Sequence, residues 1–278
     1  MKISKIFLML LLSMFLIQCT DEVSPTKHSI PSQYLYSGNY YTYDDLINQY
    51  NNGNLTGVIQ LIKTKRNDVV VTEENGQRIE NLFDGYVTRA HGGMFNSDYS
   101  PLNVISIVIN ATSLKQYAPG AYEDADPYSD IDIYFGSTPN KILIDSIDTF
   151  PFVKDSIYFP SEILITNVSR FDTVKKSNDF DITWTGGDNN SFIELDFSKN
   201  CTFWDTLTTD KFTGVSQIID NVGSYTLPYR LLQNTLQLNG KYDLSVTAYT
   251  PKYITLSNGK QILFIGVSRH TVTVEVVD

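Results

Sequence analysis

The chain has 278 residues, a formal net charge of −10, two cysteines and three histidines. Because phosphate groups repel a chain of this charge, the composition argues against nucleic-acid binding. So few cysteines and histidines also leave little material for a disulfide framework or a zinc site.

The N-terminus is predicted to be an export signal, residues 1–18, that ends before Cys19. Lys2 and Lys5 precede an apolar run from Ile6 to Ile17, shorter than the roughly 20 residues that a membrane-spanning helix needs. A basic segment followed by a short apolar run is typical of a secretory signal. The residues "LIQC" that end at Cys19 resemble the lipobox of bacterial lipoproteins. The resemblance implies cleavage before Cys19 and lipidation of that residue. An ordinary signal with an incidental cysteine is the alternative.

The residues after Cys19 bear on the destination of the protein. Thr20 is followed by Asp21 and Glu22, which is similar to the surface-export signal of Bacteroidota lipoproteins. The resemblance implies an outer-membrane location with a lipid anchor, and exposure at the cell surface. Residues 19–33 are rich in polar residues and proline, so we interpret them as a tether.

Residues 34–155 are predicted to form a β-rich N-terminal domain. Its expected strands are β-branched segments bounded by turn residues, and "ENGQ" (Glu74 to Gln77) is expected to turn a tight hairpin. One short helix is expected at Tyr43 to Tyr50, with Thr42 as its cap. The expected strand segments are "TGVIQLIK", "DVVVTEE", "PLNVISIVIN", "SDIDIYFG" and "NKILIDSI".

Residues 156–278 are predicted to form a second domain, a β-sandwich. Short alternating segments separated by turn residues recur from Glu162 to Asp278, as in sandwiches of about 100 residues. The expected strand segments are "EILITNVS", "DFDITWTG", "SFIELDFS", "GVSQIID", "GSYTLP", "KYDLSVTAYT", "QILFIGVS" and "HTVTVEVVD". The segments "DITWTGGDNNSFIELDF" and "GSYTLPYRLL" resemble Ig-like and fibronectin-III-like modules. The resemblance implies that Trp184 packs between two sheets. No cysteine pair flanks Trp184, so an antibody-type domain is not expected.

The sequence contains no recognisable catalytic motif and indicates no cofactor. HExxH, GxSxG and phosphate-binding-loop patterns do not occur. His91, beside Gly92 and Gly93, is expected in a loop or turn. Cys201 is expected to be a small buried residue.

An acidic segment, "YEDADPYSDID", raises the hypothesis of a calcium site. Calcium prefers clustered carboxylate and carbonyl oxygens, and Asp124, Asp126 and Asp130 supply carboxylates. Pro127 lies within the segment, and the spacing is not that of an EF-hand. A solvated acidic loop is the alternative interpretation, and no metal site is predicted firmly.

Two further surface features are hypotheses. Trp204 and Phe203 are candidates for stacking on sugar rings, because flat aromatic faces suit sugar C–H surfaces, although buried core positions are the alternative. Asp-Ser/Thr-apolar triplets are similar to the acceptor motif of Bacteroidota O-glycosylation, although strand ends produce the same pattern. Their candidate acceptors are Ser146, Ser156, Thr173 and Thr206.

The sequence therefore predicts a mainly β, non-catalytic protein that reaches the membrane through its lipid. Its expected role is binding or assembly, as a glycan-uptake accessory or an adhesin-like module with a glycan or another surface protein as partner. A fimbrillin-like structural subunit is one alternative. A hydrolase with an unrecognised site is the other.

Overall fold

The fold is mainly β, as predicted. The computed structural model describes residues 55–74, 77–96, 100–124, 131–145, 150–199, 214–236 and 239–278. The helix expected at Tyr43 to Tyr50 lies outside these ranges. The strands are β1 (Leu55–Glu74), β2 (Gln77–Met94), β3 (Ser106–Ile109), β4 (Thr112–Ala118), β5 (Ala121–Asp124), β6 (Asn140–Asp145), β7 (Val153–Ile157), β8 (Leu164–Ile165), β9 (Thr173–Lys175), β10 (Phe180–Thr185), β11 (Phe192–Lys199), β12 (Gly214–Asp220), β13 (Ser224–Leu227), β14 (Gly240–Thr255) and β15 (Gln261–Val277). The helix in the described residues is α1 (Tyr229–Thr235).

One large sheet runs through the molecule. Its strand order is β12-β11-β14-β15-β1-β2-β5-β4-β3-β6-β7, and β9 pairs with β15 outside this path. The pairing of β1 with β15 is parallel, so strands from the two ends of the described chain lie side by side at the centre of the sheet. A second sheet has the order β13-β10-β8.

The first core lies where the large sheet curls on itself. It combines Ile59 and Leu61 of β1 and Phe264 of β15 with residues of the distant strands β3, β6 and β7. Strands at the centre and at one edge of a sheet share a core only if the sheet bends around it. Gly266 allows the close approach that this needs, since a Cβ there would lie 2.3 Å from the ring of Phe159.

The second core lies between the two sheets. Ile193, Leu195 and Phe197 of β11 meet residues of β14 and β15 from one side, and Trp184 of β10 packs from the other. Trp184 is 3% exposed, and its Nε1 donates a hydrogen bond to Asn221 Oδ1 over 2.8 Å. The prediction that Trp184 packs between sheets is confirmed, and this half of the molecule is sandwich-like.

The two predicted domains are not shown as separate bodies. β15 contributes Phe264 to the first core and Val272 to the second, so one continuous strand serves both. The boundary between residues 155 and 156 therefore stays a prediction.

Two pairs of predicted strands are single long strands. "TGVIQLIK" and "DVVVTEE" both belong to β1, and "QILFIGVS" and "HTVTVEVVD" both belong to β15. The residues between the predicted pairs keep their ladder partners: Lys65 pairs with Tyr86, and Arg269 pairs with Thr247. Polar residues in the middle of these strands are therefore ladder positions and not turns.

The strand expected in "SDIDIYFG" is wrong for its described part, residues 131–136, which adopt an irregular conformation. Asparagine side chains, and not a neighbouring strand, form hydrogen bonds with the backbone there. Asn140 Oδ1 accepts from Tyr134 N over 2.9 Å, and Asn140 Nδ2 donates to Tyr134 O over 2.8 Å. Ile131 and Ile133 are buried in the first core. The alternation of apolar and polar residues therefore reflects burial, although these residues form no strand.

The hairpin expected at "ENGQ" is confirmed by its register. Glu74 pairs with Gln77 at the end of the β1–β2 ladder, which leaves two residues to connect the strands, as Asn-Gly turns do. β2 itself was not predicted from the sequence, because its glycines and charges obscure the alternation. Its pairing with β1 over 18 positions compensates for that weak local preference.

Candidate functional site

The strands that bury the second core expose polar side chains on their other side. On β11, Ile193, Leu195 and Phe197 are buried, and the residues that alternate with them are partly exposed. On β14 and β15 polar and apolar side chains alternate in the same register, but Ser245, Thr247, Thr271 and Thr273 on the polar side are buried, so the partly exposed part of this side is small. We call this surface the polar face and define it by Phe192, Glu194, Asp196, Tyr249 and Arg269.

The register places these side chains in cross-strand rows. Glu194 pairs with Thr247, and Thr247 pairs with Arg269, so the carboxylate and the guanidinium flank one threonine. In the next row Phe192 pairs with Tyr249. Directly opposed residues share a face of the sheet, so two aromatic rings lie beside two charged groups.

Hydrogen bonds hold the charged groups in place. The Tyr249 hydroxyl donates to Glu194 Oε2 over 2.6 Å. Arg269 Nε donates to Thr247 Oγ1 over 2.9 Å, and the Ser198 hydroxyl donates to Asp196 Oδ2 over 3.1 Å. Thr247 is 1% exposed, so it supports the guanidinium from beneath. These hydrogen bonds orient the charged side chains of the polar face.

The electrostatics of the polar face are unusual for a solvated sheet surface. Burial, followed by repulsion from Glu194, raises the pKa of the Asp196 carboxyl to about 6, although Arg269 acts in the opposite direction. Burial alone would lower the pKa of the Arg269 guanidinium. Tyr249, Glu194 and Asp196 outweigh that effect, so the Arg269 pKa is raised. Strongly perturbed groups on a partly desolvated surface are typical of functional sites.

A second polar cluster continues the face towards β1. The Thr273 hydroxyl donates to Asp243 Oδ1 over 2.6 Å and accepts from Val69 N over 3.0 Å. Arg66 Nε donates to Asp68 Oδ2 over 2.7 Å. Asp68 Oδ1 is buried and has no hydrogen-bond partner within the described part of the chain.

The arrangement suits a ligand rich in hydroxyl groups. Ionised carboxylates accept hydrogen bonds, a guanidinium donates them, and both bonds are stronger than those between neutral groups. Phe192 adds an apolar ring face beside them, and the ring of Tyr249 packs against the apolar cluster that contains Leu263, Ile265 and Val267. A sugar presents hydroxyl groups and C–H faces together, so the polar face has the chemistry of a sugar-binding surface.

The structure assigns His91 to a strand, so the expected loop position is wrong. His91 belongs to β2 and pairs with Gln60. Gly92 is needed for close packing and not for an unusual backbone, since a Cβ there would lie 2.5 Å from the Val58 carbonyl oxygen. Burial, with a contribution from Arg89, lowers the pKa of His91 to about 3. His91 is therefore neutral near pH 7.

The calcium hypothesis gains no support from the described residues. Asp124 is buried, and its Oδ2 lies 3.2 Å from Arg89 Nη1. Burial raises the pKa of Asp124 although Arg89 opposes this. Within the described ranges no three His, Cys, Asp or Glu side chains are grouped to hold a metal ion. Asp126 and Asp130 lie outside those ranges, so the site remains a prediction there.

Of the other predicted site residues, two candidate O-glycosylation acceptors lie within the described residues. Ser156 and Thr173 are exposed on β7 and β9, as modification would require. The remaining predicted residues lie outside the described ranges. They are the stacking candidates Trp204 and Phe203, the lipidation site Cys19, the acceptor candidates Ser146 and Thr206, and Cys201.

His270 gives a testable pH dependence. Its Nδ1 accepts from Ile165 N over 2.7 Å, and its Nε2 lies 3.0 Å from Asn67 Oδ1. Burial, then Lys65, lowers the His270 pKa to about 4 against the opposing charge of Asp84. The unfolded chain binds a proton near pH 6.5, so stability should be lost as the pH falls from about 6.5 through about 4.

The measurement compares His270→Gln with the parent. The melting temperature of the parent should fall more steeply between pH 7 and pH 4, because glutamine does not titrate. His91 and Asp196 titrate in both proteins, so the difference isolates His270. Parallel curves would contradict the assignment.

Comparisons with known proteins name no relative. No protein-family model matches the chain, and no curated protein matches it. In the described ranges, no helix combines the length and the apolar composition that crossing a membrane requires.

Proposed function

We propose that this protein is a lipid-anchored, non-catalytic binding protein of the outer membrane or cell surface, and that the polar face binds a glycan. The lipobox-like residues ending at Cys19 and the acidic pair after Thr20 support the location. The observation that supports binding is the polar face, where Glu194, Arg269 and Tyr249 lie together. A glycan-uptake accessory or an adhesin-like module would need such a surface.

We also propose the finer architecture expected from the sequence. The second half of the chain is proposed to be an Ig-like or fibronectin-III-like sandwich and the first half a separate β-rich domain. Burial of Trp184 between two sheets supports the sandwich. Unfolding in two transitions would favour two domains, and a single transition would favour one cooperative body.

Binding is tested by comparing the parent with two polar-face variants on a glycan array. Glu194→Gln keeps an acceptor for Tyr249 but removes the charge, and Tyr249→Phe removes the hydroxyl group. A hydrogen bond to a charged group contributes about 1.5–3 kcal/mol, so retention should weaken by roughly one to two powers of ten. Glu123→Gln, an exposed change on β5, is the matched control and should bind as the parent does. Equal retention by all four proteins would contradict the role of the polar face.

A hydrolase is the second candidate function, because two carboxylates, Glu194 and Asp196, lie on the same side of one strand. Asp196 has a raised pKa of about 6 beside Glu194, and such pairs divide acid and base roles in hydrolases. Release of reducing sugar from a retained glycan, lost in Asp196→Asn, would favour the hydrolase. Retention without release favours the binding protein.

A further inference from the structure

A separate surface at the opposite edge of the large sheet carries two exposed aromatic rings. Phe152 and Tyr158 flank β7 and are 55% and 56% exposed. Val153 and Ile157, which adjoin them in sequence, are buried in the first core. Because side chains alternate along a strand, the two rings point away from the core on the same side.

On the side of the rings, the space between them is polar and carries lysines. Lys154, Asp155 and Ser156 of β7 are all exposed. Lys154 and Ser156 alternate in phase with the rings, and Asp155 alternates with them. The partners of Lys154 and Ser156 on β6 are Leu143 and Lys141, and directly paired residues share a face. Of these four side chains, those of Lys154 and Lys141 are charged, and both are positive, in a chain whose net charge is −10. We call Phe152, Lys154, Tyr158 and Lys141 the β7 strip.

The spacing of the rings points to an extended ligand. Phe152 and Tyr158 lie one residue beyond the two ends of the five-residue strand β7, and six steps of extended chain span about 20 Å, which exceeds the reach of a single sugar. Protein partners favour contiguous apolar patches, and lysine is depleted at their interfaces. A polysaccharide instead repeats its C–H faces along the chain, and those faces stack on separated rings.

We propose that the β7 strip binds a linear polysaccharide that carries carboxylate groups. The two rings contact sugar faces, and the two ammonium groups pair with carboxylates between them. The inference rests on the proposed function of glycan binding, but it uses no residue of the polar face.

Affinity electrophoresis tests the proposal in gels that contain polygalacturonate, alginate or hyaluronan. The parent should be retarded by at least one of them, although a protein of charge −10 has no general attraction for a polyanion. Phe152→Ala/Tyr158→Ala should abolish the retardation. Lys141→Gln/Lys154→Gln should weaken it, most visibly at low salt. Phe152→Tyr/Tyr158→Phe, which keeps both rings, should be retarded as the parent is.

The matched control is Ile105→Ala, which removes a side chain that is 70% exposed outside the strip. It should leave the retardation unchanged. No retardation of the parent in any of the three gels would overturn the proposal, as would equal retardation of Phe152→Ala/Tyr158→Ala. If Glu194→Gln weakens array retention as expected while the strip variants change nothing, the proposed function stands and this inference fails. If the parent binds no glycan at all, both fail.

Discussion

Replacing Trp184 with alanine should lower the free energy of unfolding by about 3–5 kcal/mol, as large-to-small changes in protein cores do. The ring is 3% exposed and packs in the second core against strands of the opposite sheet. Its loss would also leave Asn221 Oδ1 without the bond that Trp184 Nε1 donates. Chemical denaturation followed by circular dichroism measures the change.

Two further variants separate the causes. Trp184→Phe keeps most of the ring volume and removes the hydrogen bond, so it should cost less than Trp184→Ala. Phe152→Ala removes a ring that is 55% exposed, and surface changes of this kind stay within about 0.5 kcal/mol of the parent. A Trp184→Ala variant as stable as the parent would show that the second core does not depend on this ring.

Replacing Cys19 with alanine should leave an unlipidated precursor or release the protein from the membrane fraction. The physical reason is that one acyl chain attaches a protein only reversibly, whereas two or more hold it firmly. Fractionation with mass spectrometry checks both the location and the lipid mass. Cys201→Ala is the matched control, because the second cysteine is not the proposed attachment site, and it should remain in the membrane. Unchanged partition and unchanged mass of Cys19→Ala would contradict the lipid anchor.

Local sequence was sufficient to predict a strand where that strand packs one side against a single core. The alternation in "SFIELDFS" predicts β11, and Asn75-Gly76 predicts the hairpin that joins β1 to β2. The same alternation failed at residues 131–136, because asparagine side chains satisfy the backbone there. Hydrophobic periodicity reports which residues are buried, and it reports a strand only when the ladder partners are also present.

The polar face was not predicted, because its residues are distant in sequence. Glu194 and Arg269 come together across Thr247 and Tyr249 of β14, and that requires the order β11-β14-β15. No local pattern determines which strands become neighbours. A partial signal was available in β11, where Glu194 and Asp196 alternate with apolar residues and therefore share one face of a strand.

Long-range pairing also explains the continuous sheet. The parallel pairing of β1 with β15 joins residues about 200 positions apart, as between Asn67 and Val272. A division of the chain by composition at residue 155 cannot anticipate this contact. Turn residues mark some strand ends, as at Asn75-Gly76, but the length of β1 and β15 and the ladder between them depend on contacts between the two halves.

The most direct test of glycan binding at the polar face is hydroxyl-radical footprinting of the parent protein. The protein is compared with and without a neutral glycan to which it binds on the array. The polar-face assignment predicts that Phe192 and Tyr249 lose reactivity when the glycan is bound. Phe171, which is 40% exposed outside the polar face, should react equally in both states. Unchanged reactivity of Phe192 and Tyr249 with the glycan bound would contradict the assignment.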